Sequence, residues 1–141
     1  MALHVHQAFI QVKEKVYLTP NYIRILFDCA DVEQFRDTSI GVNNKLFIPS
    51  KNQTQIELPQ FDFKARKWTV DNPAHMPEIR TYTHRAIDLV NKTLTIEFAM
   101  HGTDTVACHW ADRAQKGDEI GLTMGTKAED SVPQGLSHYL I

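Results

Sequence analysis

Strand signals dominate the regular parts of this chain, with apolar and polar residues alternating in several short runs, and only one stretch breaks into a helical period. The segment AFIQVKEKVYL is β-rich with partial alternation. LTPN turns the chain through Pro20, and YIRILFDC resumes as a second strand, so the two read as an antiparallel pair. A polar stretch from Ala30 to Asn43, containing Gly41, then gives way to the short apolar run KLFIP, a third strand closed by Pro49. From Ser50 to Glu78 the chain is rich in Asn, Gln and Pro. It reads as a long excursion of low regularity around a lone strand-like KWTV, with no role legible in it.

The clearest pattern lies between Arg80 and Met100, where two extended runs flank Asn91-Lys92. In the second run Leu94, Ile96 and Phe98 alternate with Thr95, Glu97 and Ala99, which predicts a β-hairpin with one buried face. In the first run Ile87 and Leu89 take the inward parity. Carried back along the strand, that parity places Thr81 and Thr83 inward and Arg80 and Tyr82 together on the outer face. Val106, Ala107, Trp110, Ala111 and Ala114 then recur at helical spacing, with Thr or Asp at the N-cap and Gly117 as the C-terminal stop. KGDE leads into a last short strand, EIGLTM, ended by Gly125. LSHYLI begins an apolar run after the turn-like VPQG and stops there. We expect a truncated chain: a barrel over residues 1–135, then the start, at 136–141, of a second domain whose first strand opens near Ser137. Apolar surface at Tyr139 to Ile141 would invite self-association.

Composition narrows the picture without redrawing it. At 141 residues the chain is one domain's worth, and a formal net charge of −2 gives no electrostatic case for nucleic acid or an acidic membrane surface. No apolar run approaches the roughly 20 residues that span a bilayer, so no membrane insertion is expected. Two cysteines, Cys29 and Cys108, are too few for a disulfide scaffold, and no signal-like segment opens the chain. The expected location is the cytoplasm, with reduced thiols.

Candidate chemistry centres on RTYTHR, Arg80 to Arg85. Arg80 can pair with a phosphate through its planar fork, and Tyr82, two residues on and on the same face, offers a ring for a flat ligand. The plainer alternative is a solvated strand face. In MHGTDTVACHWA, Gly102 breaks the strand and a helix N-terminus follows at once, presenting unpaired N–H groups suited to a phosphate; the alternative is an ordinary structural cap. His4 and His6 could share one face of a strand but lack a third metal ligand, so no metal site is expected. Cys108 reads as a partly buried filler before a nucleophile, and His84 and His109 read as surface histidines, although His84 lies beside the candidate ligand strand.

RTYTHR, TLTIEFAMHG and ACHWADRAQKGDEIGLTMG together resemble the siderophore-interacting, or ferric-siderophore reductase, flavoproteins of the ferredoxin-reductase-like superfamily. The shared marks are an Arg-x-Tyr-Thr segment, a strand ending in His-Gly, a helix containing Trp-Ala, a Gly-Asp turn and a strand ending in Gly. The Leu-Thr-Pro turn and the segment Lys45 to Pro49 are also similar, and the likeness is least over Ser50 to Glu78. The resemblance implies an all-β fold with one helix, a six-stranded antiparallel Greek-key barrel that binds FAD on its outer surface. By that resemblance Arg80 would hold the pyrophosphate, Tyr82 would pack against the isoalloxazine ring and Thr83 would hydrogen-bond near the reactive flavin nitrogen. Thr81 would support the strand, and His101 and Gly102 would border a phosphate loop. Thr105, Val106, Ala107 and Cys108 would aim backbone N–H groups at the phosphates.

The same resemblance implies a second domain that binds NAD(P)H, and electron passage from flavin to a ferric siderophore or other iron chelate, releasing ferrous iron. No side chain in this half is assigned a catalytic role. The sequence departs from the family at the helix start. Thr105-Val106-Ala107-Cys108 stands where Gly-Pro-Ala-Ser is usual, and Asp104 puts a negative charge beside the phosphate position. After the last strand, Gly125-Thr126-Lys127-Ala128 stands for Gly-Pro-Arg-Gly. The alternative reading is a non-catalytic barrel that has lost the flavin and binds a small molecule or a protein partner.

Overall fold

The computed structural model describes residues 5–36, 43–100 and 105–125. Along the chain run β1 (Val5–Thr19), β2 (Tyr22–Asp28), β3 (Asn43–Ile48), β4 (Gln60–Asp62), β5 (Lys67–Thr69), β6 (Glu78–Asp88), β7 (Thr93–Ala99), α1 (Thr105–Arg113) and β8 (Glu119–Gly125). Short 3-10 turns lie at Val32–Phe35 and Pro73–His75.

Six of the strands close into an antiparallel barrel in the order β1-β2-β7-β6-β3-β8. Strand β8 returns to lie beside β3, the first of the run β3, β6, β7, which is the Greek-key arrangement. Alternation supplies the core. Ile23, Ile25 and Phe27 of β2, Leu46 and Ile48 of β3, Leu94, Ile96 and Phe98 of β7, and Ile120 and Leu122 of β8 all point inward and are buried. The expected pairs are all present: β1 with β2 through the Pro20-Asn21 turn, and β6 with β7 through a turn in which Lys92 takes a positive φ of 57°.

α1 covers the barrel end at which β7 finishes. Ala107, Trp110, Ala111 and Ala114 turn into the core, and Trp110 stacks on Phe27 at 6.1 Å and tilts against Phe98 at the same centroid distance. Lys15 fastens the far end of the helix by donating to the carbonyls of Ala111 and Asp112 at 3.1 and 2.8 Å. Gly117 does not stop the helix as expected. It lies four residues beyond Arg113, in the turn before β8, with a φ of 95° that favours glycine.

The excursion is more regular than its composition implied. KWT is not a lone strand, because Gln60–Asp62 pairs with Lys67–Thr69 as a small second sheet. That sheet seals the outer side of the barrel. Trp68 meets Phe47 at 5.5 Å and Phe61 at 5.2 Å, and Leu58 sits directly over Gly121.

Candidate functional site at the open edge of β6

Strand β6 is paired on both sides only over part of its length. Residues 78–83 pair with β3, from Ile48↔Glu78 to Asn43↔Thr83, whereas pairing with β7 begins at His84↔Ile96. The two registers differ because Arg85 is an extra residue: His84 faces Ile96 and Ala86 faces Thr95, a β-bulge. β7 meanwhile diverges to β2, with Phe98 opposite Ile23 and Ala99 opposite Tyr22. RTYT therefore lies on a strand whose second edge no described strand covers.

The bulge also overturns the parity carried back from Ile87. A bulge shifts the side-chain period by one, so Arg80, Tyr82 and His84 line the inner face while Thr81 and Thr83 point outward and are exposed. Arg80 and Tyr82 do share a face, as expected, but it is the opposite one. The Tyr82 ring leans on Phe98 with centroids 5.0 Å apart. Arg80 is half-buried; its Nη1 donates to the Ile79 carbonyl at 2.9 Å and lies 3.6 Å from Glu78 Oε1.

The burial of two side chains at this strand was not legible in the sequence. Lys45 is only 5% exposed, opposite Thr81 on the outer wall, and its Nζ donates to Thr81 Oγ1 at 2.6 Å. Burial lowers its pKa to about 8. A lysine inside the apolar run KLFIP was the available signal. His84, expected at the surface, is 2% exposed, and Asn44 Nδ2 donates to its Nδ1 at 3.1 Å. His84 Nε2 and Asn44 Oδ1 find no further partner among the described residues.

Burial holds the His84 pKa below its ordinary value, because the charged form is poorly solvated there. As pH falls through the ordinary histidine range, the unfolded chain takes up a proton that folded His84 refuses, so acid destabilises the fold. Urea midpoints measured between about pH 7.5 and 5.5 are expected to drop, with a ceiling of about 1.4 kcal/mol per pH unit for one proton. His84→Leu should flatten that dependence, and an unchanged slope in the variant would refute the assignment.

At the helix start the predicted residues divide. Thr105 is the first residue of α1, and Val106 is half-buried. Ala107 is fully buried in the core, and Cys108 is 9% exposed with its Sγ donating to the Ala99 carbonyl at 3.3 Å. Cys108 is thus the filler that the sequence implied, and Ala107 and Cys108 have only their backbone to offer a ligand. His101, Gly102 and Asp104 lie outside the described residues, as do His4, Thr126, Lys127 and the segment 136–141. His109 is exposed, as expected. Among the described residues no three His, Cys, Asp or Glu side chains group as a metal site.

Between α1 and the ends of β3 and β6 runs a groove of about 400 Å³, walled by Val106, His109 and Arg113 on one side and by Pro49, Lys51 and Glu78 on the other. Its size is that of a small-ligand site. It opens at the first turn of α1, beside the strand that carries Arg80. An open strand edge, an arginine, an aromatic ring and an adjoining groove suit a flat ligand with an anionic arm, so the residues present fit a dinucleotide flavin.

Known proteins share this fold and much of this sequence. Residues 11–128 match the siderophore-interacting FAD-binding domain family. The ferric vibriobactin reductase of Vibrio cholerae is 29% identical over 118 residues, covering 84% of this chain and 42% of that protein. The ferric acinetobactin reductase of Acinetobacter baumannii is 33% identical over 98 residues, 65% of this chain and 34% of its own length. Among solved structures, the siderophore-interacting protein SipS of Aeromonas hydrophila superposes with a TM-score of 0.66 at 23% identity, over 84% of this chain and 42% of that one. A siderophore utilization protein of T. fusca gives 0.68 at 24% identity, over 84% and 44%. This chain therefore spans less than half the length of the relatives it matches.

Proposed function

The chain belongs to the siderophore-interacting FAD-binding domain family, and we propose from that premise that it is the flavin-holding part of a ferric-siderophore reductase. The open edge of β6 at RTYT carries this reading, since a planar ring laid against an uncovered strand edge can meet side chains from both of its faces. Tyr82 packs against the isoalloxazine from one side, and the Thr83 hydroxyl hydrogen-bonds near its reactive nitrogen from the other. Arg80 holds the pyrophosphate, and the backbone N–H groups of Thr105 to Cys108 face the phosphates. His101 and Gly102 border that loop. Thr81 supports the strand, held in turn by Lys45.

FAD, when bound, supplies the chemistry of accepting a hydride and passing electrons on singly. The protein's part is to hold the ring with its reactive edge open and its phosphates neutralised. The reductant is NAD(P)H, carried by a second domain whose presence the greater length of the relatives supports. The electron acceptor is a ferric siderophore, as the names of the two reductases support, and ferrous iron leaves the chelate. A cytoplasmic location completes the reading; among the described residues no helix is long and apolar enough to cross a membrane.

The test is titration of FAD into wild type and Arg80→Ala, following flavin fluorescence. The variant should bind about tenfold more weakly or worse, the loss of one charge-assisted phosphate contact. Failure of the folded wild-type protein to bind flavin would defeat the reading and leave a barrel that binds something else.

A further inference from the structure

We propose that the tip of the hairpin formed by β4 and β5 docks on an anionic membrane leaflet, with Phe63 as its apolar anchor and Lys64, Arg66 and Lys67 as its contacts to lipid phosphates. The hairpin runs FDFKARKWT over residues 61–69, and no part of the flavin reading uses it. Its base packs on the outer wall of the barrel, where Trp68 meets Phe47. Its turn stands in solvent, with every residue from Asp62 to Lys67 exposed.

Two features single out the tip. The first is an aromatic ring in water. Phe63 is 60% exposed, and it ends a chain of ring contacts that leads out from the barrel wall: Phe47 to Trp68 at 5.5 Å, Trp68 to Phe61 at 5.2 Å, Phe61 to Phe63 at 5.0 Å. The turn beneath it is held in shape, because Asp62 Oδ1 accepts from the backbone N–H groups of Lys64 and Ala65, both at 3.0 Å. The ring is therefore apolar surface presented on a fixed support.

The second feature is charge. Residues 61–69 hold three cations against the single carboxylate of Asp62, a net of +2 within a chain of net −2. Among the described residues no ion pair joins any of the three to a carboxylate. Glu57 and Asp71 lie at the base of the hairpin. The Glu57 carboxylate accepts from the N–H groups of Asp71 and Asn72 at 3.0 and 3.2 Å and pairs with His75 Nδ1 at 2.9 Å. Asp71 itself follows Lys67 by four residues, roughly 13 Å of extended chain. The net charge of the whole chain thus conceals a patch of the opposite sign.

A lipid surface fits this combination better than a protein does. Lysine is depleted from protein interfaces, whereas at a bilayer lysine and arginine lay their stems along the acyl boundary and keep their charge among the headgroups. An exposed turn with a phenyl ring among cations is suited to enter a headgroup layer, the ring in the acyl boundary and the charges at the phosphates. A second copy of the chain, meeting this patch with its own, would bring like charges together.

The experiment is co-sedimentation of the chain with vesicles of phosphatidylglycerol and phosphatidylcholine, and with vesicles of phosphatidylcholine alone, at low and at raised salt. Wild type should sediment with the anionic vesicles, less so at raised salt, and stay in solution with the zwitterionic ones. Lys64→Gln, Arg66→Gln and Lys67→Gln together should weaken binding on the order of a hundredfold, and Phe63→Ser about tenfold. All four side chains are exposed, and far-UV circular dichroism matched to wild type checks that the variants fold. A wild type that ignores anionic vesicles, equal sedimentation with both kinds, or binding that survives either substitution overturns the proposal. Binding to polyglutamate or to single-stranded DNA, with none to vesicles, also overturns it and makes the tip a protein or nucleic-acid contact. The flavin reading stands or falls separately, since no residue of the tip belongs to it.

Discussion

Trp110→Ala should lower the folding free energy by about 3–5 kcal/mol, the range for removing a large buried aromatic ring. Trp110 is 8% exposed and is the hinge of an aromatic chain that runs from Phe27 through Trp110 and Phe98 to Tyr82. Its loss removes contacts on both flanks and leaves a cavity between α1 and the barrel that the surroundings fill only in part. Because α1 is nine residues long, it has little stability apart from the surface it buries. The helix should therefore loosen before the barrel opens. Urea unfolding would show a lower midpoint, and flavin affinity would drop with it, since α1 walls the groove and Phe98 backs Tyr82. A Trp110→Ala protein with a wild-type midpoint would mean that the helix does not close the barrel.

Gly121→Val should cost about 2–3 kcal/mol, at the upper end of what overpacking a filled site costs. A Cβ at this position would stand 2.6 Å from Leu58 Cδ2, 3.0 Å from Phe47 Cδ2 and 3.1 Å from Phe47 Cβ. Leu58 could swing away, but Phe47 Cβ is tied to the backbone of β3, so β3 and β8 would have to part. The branched side chain of valine, otherwise favoured in strands, makes the conflict worse. Thermal unfolding would report a lower midpoint, and Gly121→Ala should fall between the two. Leu58→Ala placed on Gly121→Val should recover part of the loss. Without that recovery, the excursion would not be what fills the space over Gly121.

Much of the barrel is legible in the sequence because a strand writes its environment at every second residue. The alternation of Leu94, Ile96 and Phe98 fixes the inner face of β7, and the resemblance carried by RTYT and HWADRAQKGDEIGLTMG reaches the strand order that alternation cannot give. The helix is equally plain, since Ala107, Trp110, Ala111 and Ala114 recur at the period that turns one stripe to the core. Arg80 and Tyr82 were found together for the same reason: residues two apart on a strand share a face whichever face it is.

Which face it is depends on Arg85, and nothing local to Arg85 reveals a bulge. An extra residue is visible only against the register of a partner strand, so the inversion that turns Tyr82 toward Phe98 belongs to the β6 and β7 pairing. The burial of His84 and Lys45, the seal of Leu58 and Trp68 over β8, and the groove between Lys51 and Arg113 have the same origin. Each joins residues far apart in the chain, and their environment comes from segments that meet only in the folded barrel. The sequence by itself determined the barrel strands, the helix and the residue types fit for a flavin. The tertiary structure decided which edge is open and which side chains face it, because burial and pairing are properties of contacts and not of spacing.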